Sequence, residues 1–101
     1  MTFGPVPSEA EALCLELRAR GLPFECERAV AVHYRGIAIP GQRIDLIVSQ
    51  CVLVELKAST RIDVVHEVKM ISYLRTTGLR LGLLLNFNCR TMKEGLKRIV
   101  V

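Results

Sequence analysis

The chain is 101 residues long, half of them hydrophobic, with a net charge of +4. That suits one compact domain spanning 1–101 and burying roughly 60–65% of its unfolded surface, a core modest enough that self-association as a homodimer is expected. No apolar run reaches the ~18 residues that cross a bilayer and no charged-then-apolar leader opens the chain, so a cytoplasmic protein with no membrane partner is expected.

Residues 1–7, MTFGPVP, read as an irregular lead-in. Ser8 with Glu11 fits a capping box, and Leu13, Cys14 and Leu17 follow at helical spacing until Gly21 stops the helix, which predicts a first helix over about 8–20. Pro23 blocks continuation. From 24 to 34, Val30, Val32 and Tyr34 alternate with Ala29, Ala31 and His33, a strand with a bulge expected near Arg28. Arg35-Gly36 and Pro40-Gly41 each mark a turn, and strands over 43–48 and 51–57 complete a meander.

Asp63 is placed to cap a helix over 63–77 that ends at Gly78, with Val64, Val68, Ile71 and Leu74 as its apolar stripe. His66, Lys69 and Tyr73 form a polar stripe on another face, where His66 reads as a structural hydrogen-bonding group. The run LGLLLNF at 81–87 is too short for a helix and reads as a central strand covered on both faces. The tail supplies a helical turn and a short edge strand. The predicted class is therefore α/β, a mixed sheet flanked by helices.

The four cysteines, at 14, 26, 51 and 89, lie in or beside apolar stretches without metal-ligand spacing, and are expected to be reduced and mostly buried. From Lys57 onward nine Lys or Arg face three acids, so a polyanionic partner is permitted. Arg61, Lys69, Arg75, Arg80 and Arg90 are the residues able to follow a phosphate backbone, although ordinary solvated charge accounts for most such sets.

The stretch RIDLIVSQCVLVELK, 43–57, carries the chemistry. With a three-residue loop at 49–51, Val48 pairs with Val52 and Asp45 falls opposite Glu55; with a two-residue loop the acids take opposite faces. Two like charges about 5 Å apart destabilise a sheet unless a cation is shared. Two carboxylates suit Mg²⁺, which commonly takes one or two of them with water and phosphate. Lys57 alternates onto the Glu55 face, where an ammonium could help activate water or offset charge on phosphate. The plainer reading is a cross-strand ion-pair cluster. Against it stand the flanking Ile44, Leu46, Val54 and Leu56, which imply partial burial, where unpaired charge is costly.

The blocks RIDLIV, VLVELKA, HEVKMISYLRTTGLRLGLLLNF and KEGLKRIVV, in this order, resemble the GxxExxY proteins, a prokaryotic group within the PD-(D/E)XK nuclease superfamily. The resemblance covers about 13–101. It implies a restriction-endonuclease-like αβββαβ core and a Mg²⁺- or Mn²⁺-dependent hydrolase acting on DNA. It also implies that Asp45, Glu55 and Lys57 form the D…ExK signature, with Asp45 and Glu55 as metal ligands. Two positions depart from the pattern. Lys69 stands where the group carries a glutamine four residues before the retained Tyr73, and MTFGPVPSEAEA does not reproduce the namesake segment, leaving Glu9 or Glu11 to supply its acid. The chain is therefore read as a nuclease supported by Lys69, Tyr73 and Glu9 or Glu11, with Arg61, Arg75 and Arg80 on nucleic acid. The alternative is a non-catalytic nucleic-acid-binding or protein-interaction module on the same fold.

Overall fold

The computed structural model describes residues 8–58 and 63–101; the expected lead-in at 1–7 and Arg61 lie outside the described residues. Ser8 caps helix α1, Glu9–Ala19, its hydroxyl accepting from the Glu11 backbone N–H at 3.2 Å. Three antiparallel strands follow: β1, Phe24–Tyr34, β2, Ile37–Val48, and β3, Val52–Lys57. Helix α2, Val64–Thr77, crosses over to β4, Leu81–Asn86, which pairs parallel with β3. A single turn of helix, α3, Met92–Gly95, then leads into β5, Leu96–Val100, antiparallel to β4. The sheet order is β1-β2-β3-β4-β5. The αβββαβ order and the mixed sheet are those expected of a restriction-endonuclease-like core.

Arg35 and Gly36 both have positive φ, 50° and 78°, and Tyr34 pairs with Ile37. This is the two-residue hairpin whose twist matches that of its strands. Pro40-Gly41, by contrast, makes no turn. β2 runs straight through it, and the register with β1 shifts between Val30 and Val32, opposite this dipeptide. Gly41, at φ 83°, absorbs the irregularity as a bulge inside a long strand. Near Arg28, where a bulge was expected, the departure is instead one left-handed residue, Glu27, at φ 53°.

Two cores form, one on each face of the sheet. On the α2 face, Ile47, Leu53 and Leu84 pack with Met70, Tyr73 and Leu74; on the α1 face, Leu46 and Val54 pack with Cys14. α2 thus buries a stripe one step round from the expected one: Met70, Tyr73 and Leu74 are fully buried, whereas Val64 and Val68 are 71% and 56% exposed. The shift is set by β4. Gly82 lacks a side chain, and Met70 occupies the space that a Cβ would fill. The cysteines also differ from expectation: Cys14 is buried, Cys26 and Cys51 are exposed, and Cys89 is intermediate.

Candidate metal and nucleic-acid site

The turn between β2 and β3 decides the site. Ser49 and Gln50 both adopt positive φ, the Cys51 N–H bonds the Val48 carbonyl at 3.0 Å, and Val48 pairs with Val52. This is the three-residue loop. The pairs Leu46 with Val54 and Ile47 with Leu53 continue that register, the ladder ends there, and Asp45 and Glu55 meet just beyond it.

There the side chains replace the backbone ladder. Glu55 Oε1 accepts from the Asp45 backbone N–H at 3.2 Å, and Asp45 Oδ2 accepts from the Leu56 N–H at 2.8 Å. Glu55 is only 4% exposed, and its pKa is pushed up to about 7, first by burial and then by the neighbouring Asp45 charge; Lys57 and Lys69 pull the other way. Both lysines therefore act on the site electrostatically. Among the described residues, neither forms an ion pair with either carboxylate.

Asp45 also lines a cavity of about 290 Å³ on the α1 side, together with Glu11, Glu27, Cys14 and Cys26. Within it, Glu11 Oε2 is buried and has no hydrogen-bond partner. Of the two first-helix acids, Glu11 is therefore the one turned toward Asp45, while Glu9 is exposed and does not line the cavity. Their spacing explains the split, because residues two apart on a helix point in different directions.

Tyr73 belongs to the core and not to a polar stripe. It is wholly buried, and its hydroxyl donates to Gln42 Oε1 at 3.2 Å. Lys69 lies over its ring, with Nζ 5.6 Å from the centroid. His66 serves the helix start, as expected, its Nδ1 accepting from the Asp63 N–H at 3.1 Å.

The basic residues divide. Arg75 lines a groove of about 720 Å³ between α2 and β1 with His33, Arg35 and Ser72, and none of the residues lining it is acidic. Ser72 also borders a smaller cavity with Lys69, Gln42 and Tyr73, so the two run together along α2. Arg80 lies elsewhere. It precedes β4, whereas Lys57 pairs with Asn86 at that strand's far end, and the Arg80 guanidinium donates to the Val101 carbonyl at 3.3 Å. Five residues of strand, about 17 Å, separate the two ends of β4.

Residues 7–99 match the family model of the PD-(D/E)XK nuclease superfamily. The chain belongs to this superfamily. No curated protein and no solved structure matches it at significance. The match is to the PD-(D/E)XK superfamily as a whole and does not single out the GxxExxY group within it. In this PD-(D/E)XK chain Asp45 is followed, ten residues on, by Glu55-Leu56-Lys57.

PD-(D/E)XK nucleases generally use divalent metals. Among the described residues, no group of three or more His, Cys, Asp or Glu converges closely enough to form a ready-made metal cage. The donor chemistry nevertheless fits a hard cation. Asp45, Glu55 and Glu11 offer only oxygens, one of them is buried without a partner, and a cation would offset both the burial and the Asp45 repulsion that push the Glu55 pKa up to about 7.

Reading the chain alone missed Gln42, Glu27, His33 and Arg35. Glu27 lies between Cys26 and Arg28, whose partners Leu46 and Ile44 flank Asp45. Counting back from the Arg35-Gly36 turn does not reveal this, because the bulge at Gly41 offsets the register by one residue. Gln42 follows the bulge for the same reason. His33 and Arg35 enter the groove only through the packing of β1 against α2.

Proposed function

We propose that the protein is a Mg²⁺- or Mn²⁺-dependent nuclease that hydrolyses DNA phosphodiesters. The observation that carries this reading is the Asp45–Glu55 pair: two acids held opposite each other in a half-buried strand pair, at a cost visible in the raised pKa of Glu55. Asp45 and Glu55 would hold the ion, with Glu11 as the next oxygen donor. When bound, the ion supplies Lewis-acid polarisation of the phosphate and a lowered pKa for water.

The chain's own residues do the rest. Asp45 and Glu55 are fixed by their backbone bonds, so their remaining oxygens keep one orientation. Lys57 alternates onto the Glu55 face and offers an ammonium to offset negative charge building on the phosphate oxygens. Lys69, Arg75, Arg35 and His33 present a basic wall for the flanking phosphates.

A second reading, a non-catalytic nucleic-acid-binding module, is favoured by Lys69, whose ammonium already offsets part of the Glu55 charge. Incubating the protein with duplex, single-stranded and branched DNA in Mg²⁺ or Mn²⁺ separates the two. Cleavage abolished by Lys57→Ala and by Asp45→Asn supports the nuclease; no cleavage on any substrate, with salt-sensitive DNA binding retained and no stoichiometric Mn²⁺ uptake, establishes the module.

A further inference from the structure

We propose that Cys14 and Cys26 form a dithiol modification site, oxidised by a hydroperoxide to an intramolecular disulfide that pins α1 to β1 beside the Asp45 cavity. The two sulfurs lie 3.7 Å apart, in hydrogen-bond contact, on elements separated by the turn at Gly21 and Pro23. A disulfide needs an S–S distance near 2.05 Å, so the sulfurs must close by roughly 1.6 Å. Cys51 and Cys89 form no such pair among the described residues.

Access is built in. Cys14 is buried within the α1-face core, yet both cysteines line the cavity that Asp45 and Glu11 also line, and Cys26 is exposed. A small peroxide entering this cavity meets both thiols. Partial desolvation of its sulfur and the adjacent Cys14 push the Cys26 thiol up to about 11, which disfavours Cys26 as the attacking thiolate and leaves it to resolve the oxidised Cys14.

The chemistry balances. The Cys14 sulfur attacks one oxygen of hydrogen peroxide; the S–O bond forms, the O–O bond breaks, and the departing hydroxide takes up the Cys14 thiol proton as water. Cys14 is then a sulfenic acid. The Cys26 sulfur attacks it, the S–S bond forms, the S–O bond breaks, and the second hydroxide leaves with the Cys26 proton. Two thiols lose two electrons, and one peroxide is reduced to two waters.

The consequence falls on Glu11, one turn upstream of Cys14 on the same face of α1. Closing the sulfurs draws α1 toward β1, where Cys26 pairs with Leu46, the neighbour of Asp45. Oxidation therefore resets how Glu11 meets Asp45. This last link, unlike the modification itself, rests on the metal-site reading above.

The test uses the full chain in a Cys51→Ser/Cys89→Ser background treated with one equivalent of hydrogen peroxide. The expected result is loss of two hydrogen masses, a proteolytic peptide joining Cys14 to Cys26, reversal by dithiothreitol, and a melting temperature raised by on the order of 10 °C. Cys26→Ser, at an exposed position that leaves the core intact, abolishes all four. Free thiols after treatment, over-oxidation of Cys26 without a cross-link, or one Zn²⁺ per chain shielding both thiols would each overturn the proposal. None of these readouts needs nuclease activity. Mn²⁺ titration of the reduced and oxidised forms then tests the link to Glu11: different affinities support it, and equal affinities remove it.

Discussion

Asp45 and Glu55 each hydrogen-bond the backbone of the strand that carries the other, Glu55 accepting from the Asp45 N–H and Asp45 from the Leu56 N–H. The usual ladder between β2 and β3 ends at Leu46 and Val54, and the side chains complete it. Each carboxylate is thus both a structural acceptor and a charge.

Glu55 has a folded pKa of about 7 against an ordinary carboxylate value near 4.5. Between these values the folded protein holds a proton that the unfolded chain has released, so stability is greatest below pH ~4.5 as far as this group is concerned and falls as pH rises through 7. Denaturant titrations at pH 5 and pH 8 should show a loss on the order of 2–3 kcal/mol. Glu55→Gln keeps the acceptor for the Asp45 N–H and should flatten the slope. Lys69→Gln removes a cation that holds the pKa down and should move the midpoint higher. Mg²⁺ should stabilise the wild type more at pH 8 than at pH 5, because it competes with the Glu55 proton.

Asp45→Ala strips the acceptor from the half-buried Leu56 N–H and should cost about 1–2 kcal/mol, toward the low end of the penalty for an unsatisfied donor. Asp45→Asn retains an acceptor oxygen and should cost less than about 1 kcal/mol, while removing the charge needed to bind a cation. Urea unfolding of both variants beside Mn²⁺ calorimetry separates the two roles. Equal destabilisation by the two changes would show that the backbone bond contributes nothing.

Tyr73 and Gln42 should behave as a unit. Tyr73→Phe loses one hydrogen bond, about 1 kcal/mol, and Gln42→Ala leaves a buried hydroxyl unpaired, about 1–3 kcal/mol. The double variant should cost less than the sum of the singles, and thermal unfolding of all four proteins gives the coupling. Additive losses would mean that Tyr73 acts through ring packing alone.

Arg75→Ala should weaken DNA binding and reduce the slope of log affinity against log salt by about 1. Arg80→Ala, at the far end of β4, should leave both within error. Fluorescence anisotropy on one duplex at several salt concentrations decides it, and the groove is the wrong surface if Arg80 proves the more sensitive position.

The sequence showed most of the fold because its signals were local. Ser8 with Glu11, the Arg35-Gly36 turn, the Asp63 start and Gly78 end of α2, and the apolar run of β4 each act over a few residues. The meeting of Asp45 and Glu55 was also legible, since one three-residue loop brings them together. What escaped was set by contacts distant in sequence. α2 is turned so that Met70 fits against Gly82, and no periodicity within the helix records that fit. Tyr73 looked polar because its burial depends on Gln42, thirty-one positions earlier. A similar constraint holds Gly95, where a Cβ would run into the Asn86 carbonyl, which makes it a close-packing position.

The irregularities of β1 and β2 have a further consequence, for the behaviour of the protein in concentrated solution. β1 is an edge strand of eleven residues, long enough to template pairing with another chain. The left-handed Glu27 and the bulge at Gly41 break its flatness, and Glu25, Glu27 and Arg28 place exposed charge along it. The opposite edge, β5, carries exposed Lys97 and Arg98. Kinks at the β1 margin and charges at both margins guard an open five-stranded sheet against stacking edge to edge into fibres.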